Sequence, residues 1–388
     1  MNVTIVHDYL TQRGGAERVV LSMLKAFPGA PLVTSFYNPR TTFPEFAEAD
    51  IRTLGVNRVR MLRRNHRLAL PVLAPAFSRL KIESDLVLCS SSGWAHGTTV
   101  EGRKVVYCYS PARWLYQTSR YLGDGYPAGR RALSLLRPHL LRWDARAAAT
   151  ADCYLTSSTA VAERIREIYG IEARILAPPT TIDPAGERQE VAGIEPGFVL
   201  CVSRLLAYKN LDAVVNAMRE LPDLSLVIVG TGPERSRLAE RAPDNVRFAG
   251  TASDAEIRWL YGECVGLVAA SYEDYGLTPL EAACFGKPVA ALRWGGFLDT
   301  VIEGTTGVFF DVPDAASIAA GIRSMLATHF DPATLMSHAE ENSEARFLAK
   351  LRDLAGLRGG GSSPPVAASA DNATSHHGGA LAEFQDGT

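Results

Sequence analysis

The chain has 388 residues, 47% of them hydrophobic, with a formal net charge of −2. That length allows two domains, and the composition is that of a globular protein, which excludes a fibrous or wholly disordered chain. The charge is unevenly placed: residues 1–180 carry 24 Lys and Arg against 14 Asp and Glu, and the remainder 16 against 28, so the two halves are expected to meet different partners.

The opening stretch "NVTIVHDYL" predicts a buried strand without the basic-then-apolar pattern of a secretory leader. A glycine turn follows in "TQRGGAERVV". Val19, Val20, Met23, Leu24 and Phe27 then recur at helical spacing. Strand, glycine loop and helix in that order open a parallel α/β sheet. "APLVTSFY", "DLVLCSS", "KVVYCYS" and "DCYLTSS" predict further strands. The Pro- and Gly-rich stretch "APPTTIDPAGERQEVAGIEPG" reads as a hinge. The rhythm then repeats in "FVLCVSRL", "LSLVIVGTG", "NVRFAG", "VGLVAAS", "PVAALRW" and "GVFFDV". The expected organisation is a first domain over 1–180, a hinge over 181–195 and a second domain over 196–341. A C-terminal helix over 342–358 is expected to pack back on the first domain, and a tail over 359–388, rich in Gly, Ser and Pro, is expected to be disordered. The fold expected is α/β: two doubly wound, Rossmann-like domains facing across a cleft, with ligands beyond the carboxyl ends of the strands. No apolar run reaches the roughly 18 residues of a spanning helix. Cys89, Cys108, Cys153, Cys201, Cys264 and Cys284 form no CxxC and read as free thiols in a reducing compartment.

Three loops carry candidate chemistry. In "VGTGPE", Gly230 and Gly232 follow a strand, but Arg235 stands where a dinucleotide fingerprint needs its third glycine. A tight strand-to-helix turn is the competing reading. In "SRLLAYKN", Arg204 and Lys209 follow a strand and would hold a diphosphate, or else are solvated charges at a helix start. In "EDYGLTPLE", Thr278, Pro279 and Glu281 fit the N-cap, first and third positions of a capping box, which gives Glu281 a structural role. Capping does not explain Glu273 or Gly276. A glycine admits a ligand close to the backbone, amides at a helix start suit an anion, and an ionised carboxylate accepts hydrogen bonds from hydroxyls. A diphosphate flanked by two polyols, a nucleotide sugar, fits all three. No GxxxxGK[ST], HExxH or DxD is present, so neither phosphate-loop hydrolysis nor a metal site is expected.

"SRLLAYKN", "VGTGPE", "SYEDYGLTPLEAACFGKPVAA" and "WGGFLDTVIEGTTG", in this order over Phe198 to Val312, resemble the donor half of family 4 glycosyltransferases, which have the GT-B fold. "HDYLTQRGGAERVV" resembles that family's N-terminal glycine loop, particularly in polysaccharide-assembly mannosyltransferases. The resemblance implies a retaining, metal-independent glycosyltransferase with no cofactor beyond its GDP- or UDP-linked substrate. It would move a sugar, mannose from GDP-mannose foremost, to a lipid-linked or glycan acceptor in cell-surface polysaccharide or glycolipid synthesis. By position, Glu273 would meet the transferred sugar and Glu281 the ribose. Arg204 and Lys209 would hold the diphosphate, and amides around Gly276, Leu277 and Thr278 the phosphates and sugar. Gly14 and Gly15 would close over the phosphates from the other domain. Arg204, Lys209 and Glu273 form the implied catalytic set. On the acceptor side stand Tyr109, in "YCYSPARW" where relatives often have His, and the loop of Gly295 and Gly296; Asp299 stands where the family often has Glu. Tyrosine is a poor base near neutral pH. A UDP-sugar-dependent transferase, a nucleotide-sugar epimerase and a silent sugar-nucleotide binder stay open as alternatives.

The basic half contains "RVRMLRRNHRLAL", with Arg58, Arg60, Arg63, Arg64 and Arg67, and "RRALSLLRPHLLRWDAR". Arginines interleaved with apolar residues suggest docking on an anionic membrane surface. The expected location is cytoplasmic, peripheral at the inner face of the cytoplasmic membrane. No nucleic-acid module is recognised, so nucleic acid is not an expected partner.

Overall fold

The computed structural model describes residues 1–64, 69–116 and 127–356. Arg67 and the tail from Gly359 lie outside the described residues. The first sheet contains β1 (Val3–His7), β2 (Leu32–Thr34), β3 (Ile51–Thr53), β4 (Lys81–Ser91), β5 (Thr99–Cys108), β6 (Cys153–Thr156) and β7 (Arg174–Ile175). Its spatial order is β3-β2-β1-β4-β5-β6-β7, all parallel. The second contains β8 (Val199–Val202), β9 (Leu226–Val229), β10 (Val246–Gly250), β11 (Gly266–Ala269), β12 (Val289–Leu292) and β13 (Gly307–Phe310). Its order is β10-β9-β8-β11-β12-β13, again all parallel. Both are doubly wound Rossmann-like sheets. Their strand order reverses between β1 and β4 and between β8 and β11, which opens a crevice at the carboxyl ends of those strands.

The central strands are continuous apolar runs because helices cover both faces of a parallel sheet. β1, β9, β11 and β12 are buried along their whole length. The edge strands β3 and β7 read "IRT" and "RI" and are largely exposed, so they carry no apolar signal.

The chain crosses between domains at two adjacent places. The Thr180 amide donates to the Asn342 carbonyl at 3.1 Å. The linker beyond Thr180 is strapped to the second domain: Arg258 donates to the Asp183 carbonyl at 2.9 Å, and the Gln189 amide to the Ala255 carbonyl at 3.1 Å. The helix Glu344–Leu354 returns to the helix Gly15–Ala26 of the first domain. There Ser22 and Lys25 donate to Glu344 at 2.6 and 2.7 Å, and Phe347 and Leu351 enter the first domain's core. All six cysteines are free, four of them buried. Among the described residues no helix is long and apolar enough to cross a membrane.

Candidate functional site

A cleft of about 380 Å³ lies between the two domains. The first domain contributes Asp8 and Tyr9 after β1, Gly15 and Ala16 at the start of the helix Gly15–Ala26, Ser92 and Trp94 after β4, and Tyr109, Ser110 and Arg113 after β5. The second contributes Arg204 and Tyr208 after β8, and Tyr272 and Glu273 after β11. The topology therefore brings Gly15, Tyr109, Arg204 and Glu273 to one place.

On the second-domain wall, Glu273 is held by two donors on one oxygen. Lys209 pairs with Oε1, and Ser271 donates to the same atom at 3.0 Å. Lys209 is buried while Glu273 is 30% exposed at its side chain, so the pair is anchored from below and open to the cleft. Oε2 takes no hydrogen bond from the described residues. Lys209 is thus committed to Glu273, and Arg204 is a cation that this wall turns to the cleft, its Nη2 donating to the Tyr208 hydroxyl at 3.2 Å. Asn210, in the left-handed region at φ 55°, turns the chain after Lys209 and donates to the Ala270 carbonyl at 2.8 Å.

The loop after Glu273 is packed against the loop of residues 294–297. Gly276 has φ 78°, and a Cβ there would strike the Phe297 ring; a Cβ on Gly296 would strike the Tyr275 backbone. The Gly296 amide donates to the Glu273 carbonyl at 3.0 Å. Gly295 and Gly296 therefore support the Glu273 loop from the second domain. Gly230 and Gly232 likewise allow close contact, with a Cβ on either striking the carbonyl of Ser203 or Leu205. Neither lines the cleft.

The expected capping box at Thr278 and Glu281 does not form. Leu277 is the N-cap, Thr278 and Pro279 are the first two residues of the helix Thr278–Cys284, and the N-cap makes no side-chain capping bond. Glu281 therefore sits at the fourth position, its amide donating to the Leu277 carbonyl at 2.9 Å. Its side chain instead accepts from the Tyr261 hydroxyl at 2.7 Å. Burial raises the Glu281 pKa, against the Tyr261 bond and the charge of Arg18, which reaches it from the first domain.

The first-domain wall holds residues that sequence reasoning missed. Asp8 caps the loop after β4: its carboxylate accepts from the amides of Ser92 at 2.7 Å, Trp94 at 3.3 Å and Ala95 at 2.6 Å. Burial outweighs those bonds and raises its pKa to about 6. Glu17, buried in the first turn after the glycine loop, is raised by burial to about 7. A carboxylate directly after a buried strand, "IVHD", was the available signal for Asp8.

Tyr109 is part of a hydrogen-bonded chain. Its hydroxyl donates to the Ala16 carbonyl at 3.1 Å, and Ser90 lies 2.9 Å from it. The tyrosine proton is spent on Ala16, so Ser90 donates to Tyr109, and His7 Nδ1, 2.9 Å from Ser90 Oγ, must carry the proton it gives to Ser90. Burial lowers the His7 pKa to about 4, which keeps it neutral, and burial raises that of Tyr109 well above its ordinary value. The chain fixes the glycine loop, through the Ala16 carbonyl, to β1, β4 and β5. Tyr109 acts here as a brace, its hydroxyl proton committed to the Ala16 carbonyl.

A second cavity, about 470 Å³, is lined by Thr98, Lys104, Trp143 and Arg146. Lys104 there spends its three protons on the carbonyls of His96 and Thr98 and on the Thr150 hydroxyl, so it has no proton left to donate to a ligand.

The chain is similar to known proteins in sequence and in fold. Residues 187–344 match the family Glycosyl transferases group 1. Glycogen synthase of Mycobacterium tuberculosis is 32% identical over 203 residues, 48% of this chain and 48% of that protein. A GDP-mannose-dependent alpha-(1-6)-phosphatidylinositol monomannoside mannosyltransferase of Mycolicibacterium smegmatis is 32% identical over 146 residues, 33% of this chain and 38% of that one. The chain spans about half the length, or less, of these curated relatives. Anabaena HepE, solved in complex with UDP-glucose, superposes with a TM-score of 0.68 at 16% identity, over 92% of this chain and 100% of that one. The fold is GT-B, and the second domain is similar to glycosyl transferases group 1.

Proposed function

We infer that the chain is a glycosyltransferase whose nucleotide-sugar donor lies in the interdomain cleft. The single observation that carries this is the convergence of Arg204 and the Lys209-anchored Glu273 on one wall with the braced glycine loop on the other. Arg204 would meet the diphosphate, with the glycine-loop amides opposite it. Glu273 would offer Oε2 to a sugar hydroxyl, its position fixed before substrate arrives. Donors aimed at the leaving diphosphate stabilise the charge that develops there, and a retaining transfer in which that phosphate takes the acceptor proton needs no base from Tyr109.

The proposed donor is GDP-mannose, supported by the mannosyltransferase relative; UDP-sugars are the second choice, supported by the UDP-glucose complex of a protein with this fold. The proposed acceptor is lipid-linked or a glycan at an anionic membrane. Arg58, Val59, Arg60 and Met61 are all exposed, which puts apolar side chains beside cations on one short segment. A thermal-shift panel of GDP- and UDP-sugars tests the donor. Ligand at about 100 times its dissociation constant adds roughly 2.7 kcal/mol. A shift with GDP-mannose is expected, and transfer should persist in excess chelator. No shift with any nucleotide or nucleotide sugar would refute the reading.

A further inference from the structure

The first-domain wall carries a second group of cations beside the donor residues. Arg164, on the helix Thr159–Tyr169, donates from Nη1 to the Ser110 hydroxyl at 3.0 Å and to Asp274 Oδ1 at 3.0 Å. Arg113, which lines the cleft, pairs with the other oxygen, Asp274 Oδ2. Asp274 belongs to the second domain, one residue past Glu273. Two arginines of one domain thus converge on one carboxylate of the other. Their mutual repulsion has a physical cost: burial lowers the Arg164 pKa, and the Arg113 charge lowers it further. The two guanidinium groups and the Ser110 hydroxyl form a cradle for an oxyanion, with a carboxylate in it.

That carboxylate is not the main closure contact. Asp299 of the second domain accepts from the Thr159 amide at 3.1 Å and from the Thr159 hydroxyl at 2.5 Å, and Ser158 donates to the Asp274 backbone carbonyl. None of these bonds uses the Asp274 side chain.

We propose that Ser110, Arg113 and Arg164 form a phosphoryl subsite for the acceptor, which Asp274 fills in the ligand-free chain. An acceptor bearing a phosphate or diphosphate would displace the Asp274 carboxylate and sit within reach of the sugar end of the donor site. Forked guanidinium donors suit a phosphate as they suit a carboxylate. The proposal rests on the transferase reading and names its acceptor as a phosphorylated one.

The test is a calorimetric titration of the full chain. GDP and UDP are titrated first, and that step alone reports on the donor reading. Inorganic pyrophosphate is then titrated into the protein with whichever nucleotide binds held in excess, or into the bare protein if neither does. Asp274→Asn removes the competing carboxylate and should bind pyrophosphate at least about tenfold tighter than the native chain. Adding Arg164→Gln to Asp274→Asn should reverse the gain, while adding Arg164→Lys should keep part of it. Melting curves confirm that each variant is folded, and Arg113→Gln in the Asp274→Asn background gives a second reading. A soluble sugar phosphate and a prenyl phosphate in phosphatidylcholine vesicles, compared as probes of Asp274→Asn, tell a free from a lipid-borne phosphate. Pyrophosphate affinity unchanged by Asp274→Asn, or a gain that survives Arg164→Gln, would overturn the subsite.

Discussion

The two walls of the cleft hold their carboxylates in opposite ways. On the second-domain wall Glu273 is met by a buried cation, Lys209, and a hydroxyl, Ser271. On the first-domain wall Asp8 is met by three backbone amides and, among the described residues, no cation within hydrogen-bond reach. Amides offer partial charges only, so burial wins there, and Asp8 rises to about 6 and Glu17 to about 7. The second-domain wall is therefore built on an ion pair, whereas the first is built on groups that gain protons within the physiological range. The difference suits the proposed roles of the two walls. An ion pair leaves the second Glu273 oxygen open to the cleft, where the proposal places a sugar, while the amides around Asp8 shape a loop.

Breaking the ion pair should have the largest effect. Glu273→Gln should leave nucleoside diphosphate affinity nearly unchanged and lower turnover about a hundredfold, since the proposed role puts its contact on the sugar in the transition state. Lys209→Met strands Glu273 and should add a stability loss of about 2 kcal/mol, kept modest by the partial exposure of the carboxylate. Steady-state rates and urea melts check both; normal turnover in Glu273→Gln would remove Glu273 from the sugar end.

Glu281→Gln sharpens the contrast, since Glu281 has a hydroxyl partner and only a distant cation. Gln still accepts from Tyr261, so stability should fall by less than about 1 kcal/mol. Nucleotide affinity should fall roughly ten- to a hundredfold if Glu281 grips the ribose, a charge-assisted bond being worth about 1.5–3 kcal/mol. Unchanged affinity by calorimetry would leave Glu281 as a partner of Tyr261 alone.

The amide-held wall should show in the pH dependence of stability. Asp8 and Glu17 have folded pKa values above their ordinary ones, so their contribution is fully present below about pH 4 and lost as pH rises to about 7. His7 is lowered from 6.5 to about 4, so its contribution is present above pH 6.5 and lost as pH falls toward 4. The two trends oppose each other across one window. His7→Asn, whose amide nitrogen can replace Nδ1 toward Ser90, removes the rising component. Its melting temperature should fall more steeply than the native one from pH 4 to pH 7, and Asp8→Asn should make the native slope more positive. Parallel curves for all three proteins would show that these groups do not titrate as described.

The smallest effect is expected at Tyr109. Tyr109→Phe removes the bond to Ala16 and the acceptor of the Ser90 hydroxyl, which can rotate to another partner, and should cost about 1 kcal/mol. Its hydroxyl stays protonated far above neutrality, so the pH–rate profile of transfer should keep its shape. A lost basic limb in that profile would make Tyr109 more than a brace.

The sequence alone determined the parallel α/β class, the two doubly wound sheets and the central strands, because a strand buried on both faces must be apolar along its whole length. It also located Arg204, Lys209 and Glu273 after strand ends, where a doubly wound sheet places its ligands. The edge strands Ile51–Thr53 and Arg174–Ile175 left no trace, since half-exposed strands have no such requirement. The spacing of Thr278 and Glu281 suggested a cap, yet the helix begins at Thr278 itself, and that shift turns Glu281 toward Tyr261. Pairings across the cleft, Arg113 and Arg164 with Asp274 and Asp299 with Thr159, join residues 110 to 161 positions apart. Local pattern reports only on neighbours within a turn or a pleat. Which cation meets which carboxylate across two sheets is decided by how the sheets are brought together, and only the tertiary structure holds that.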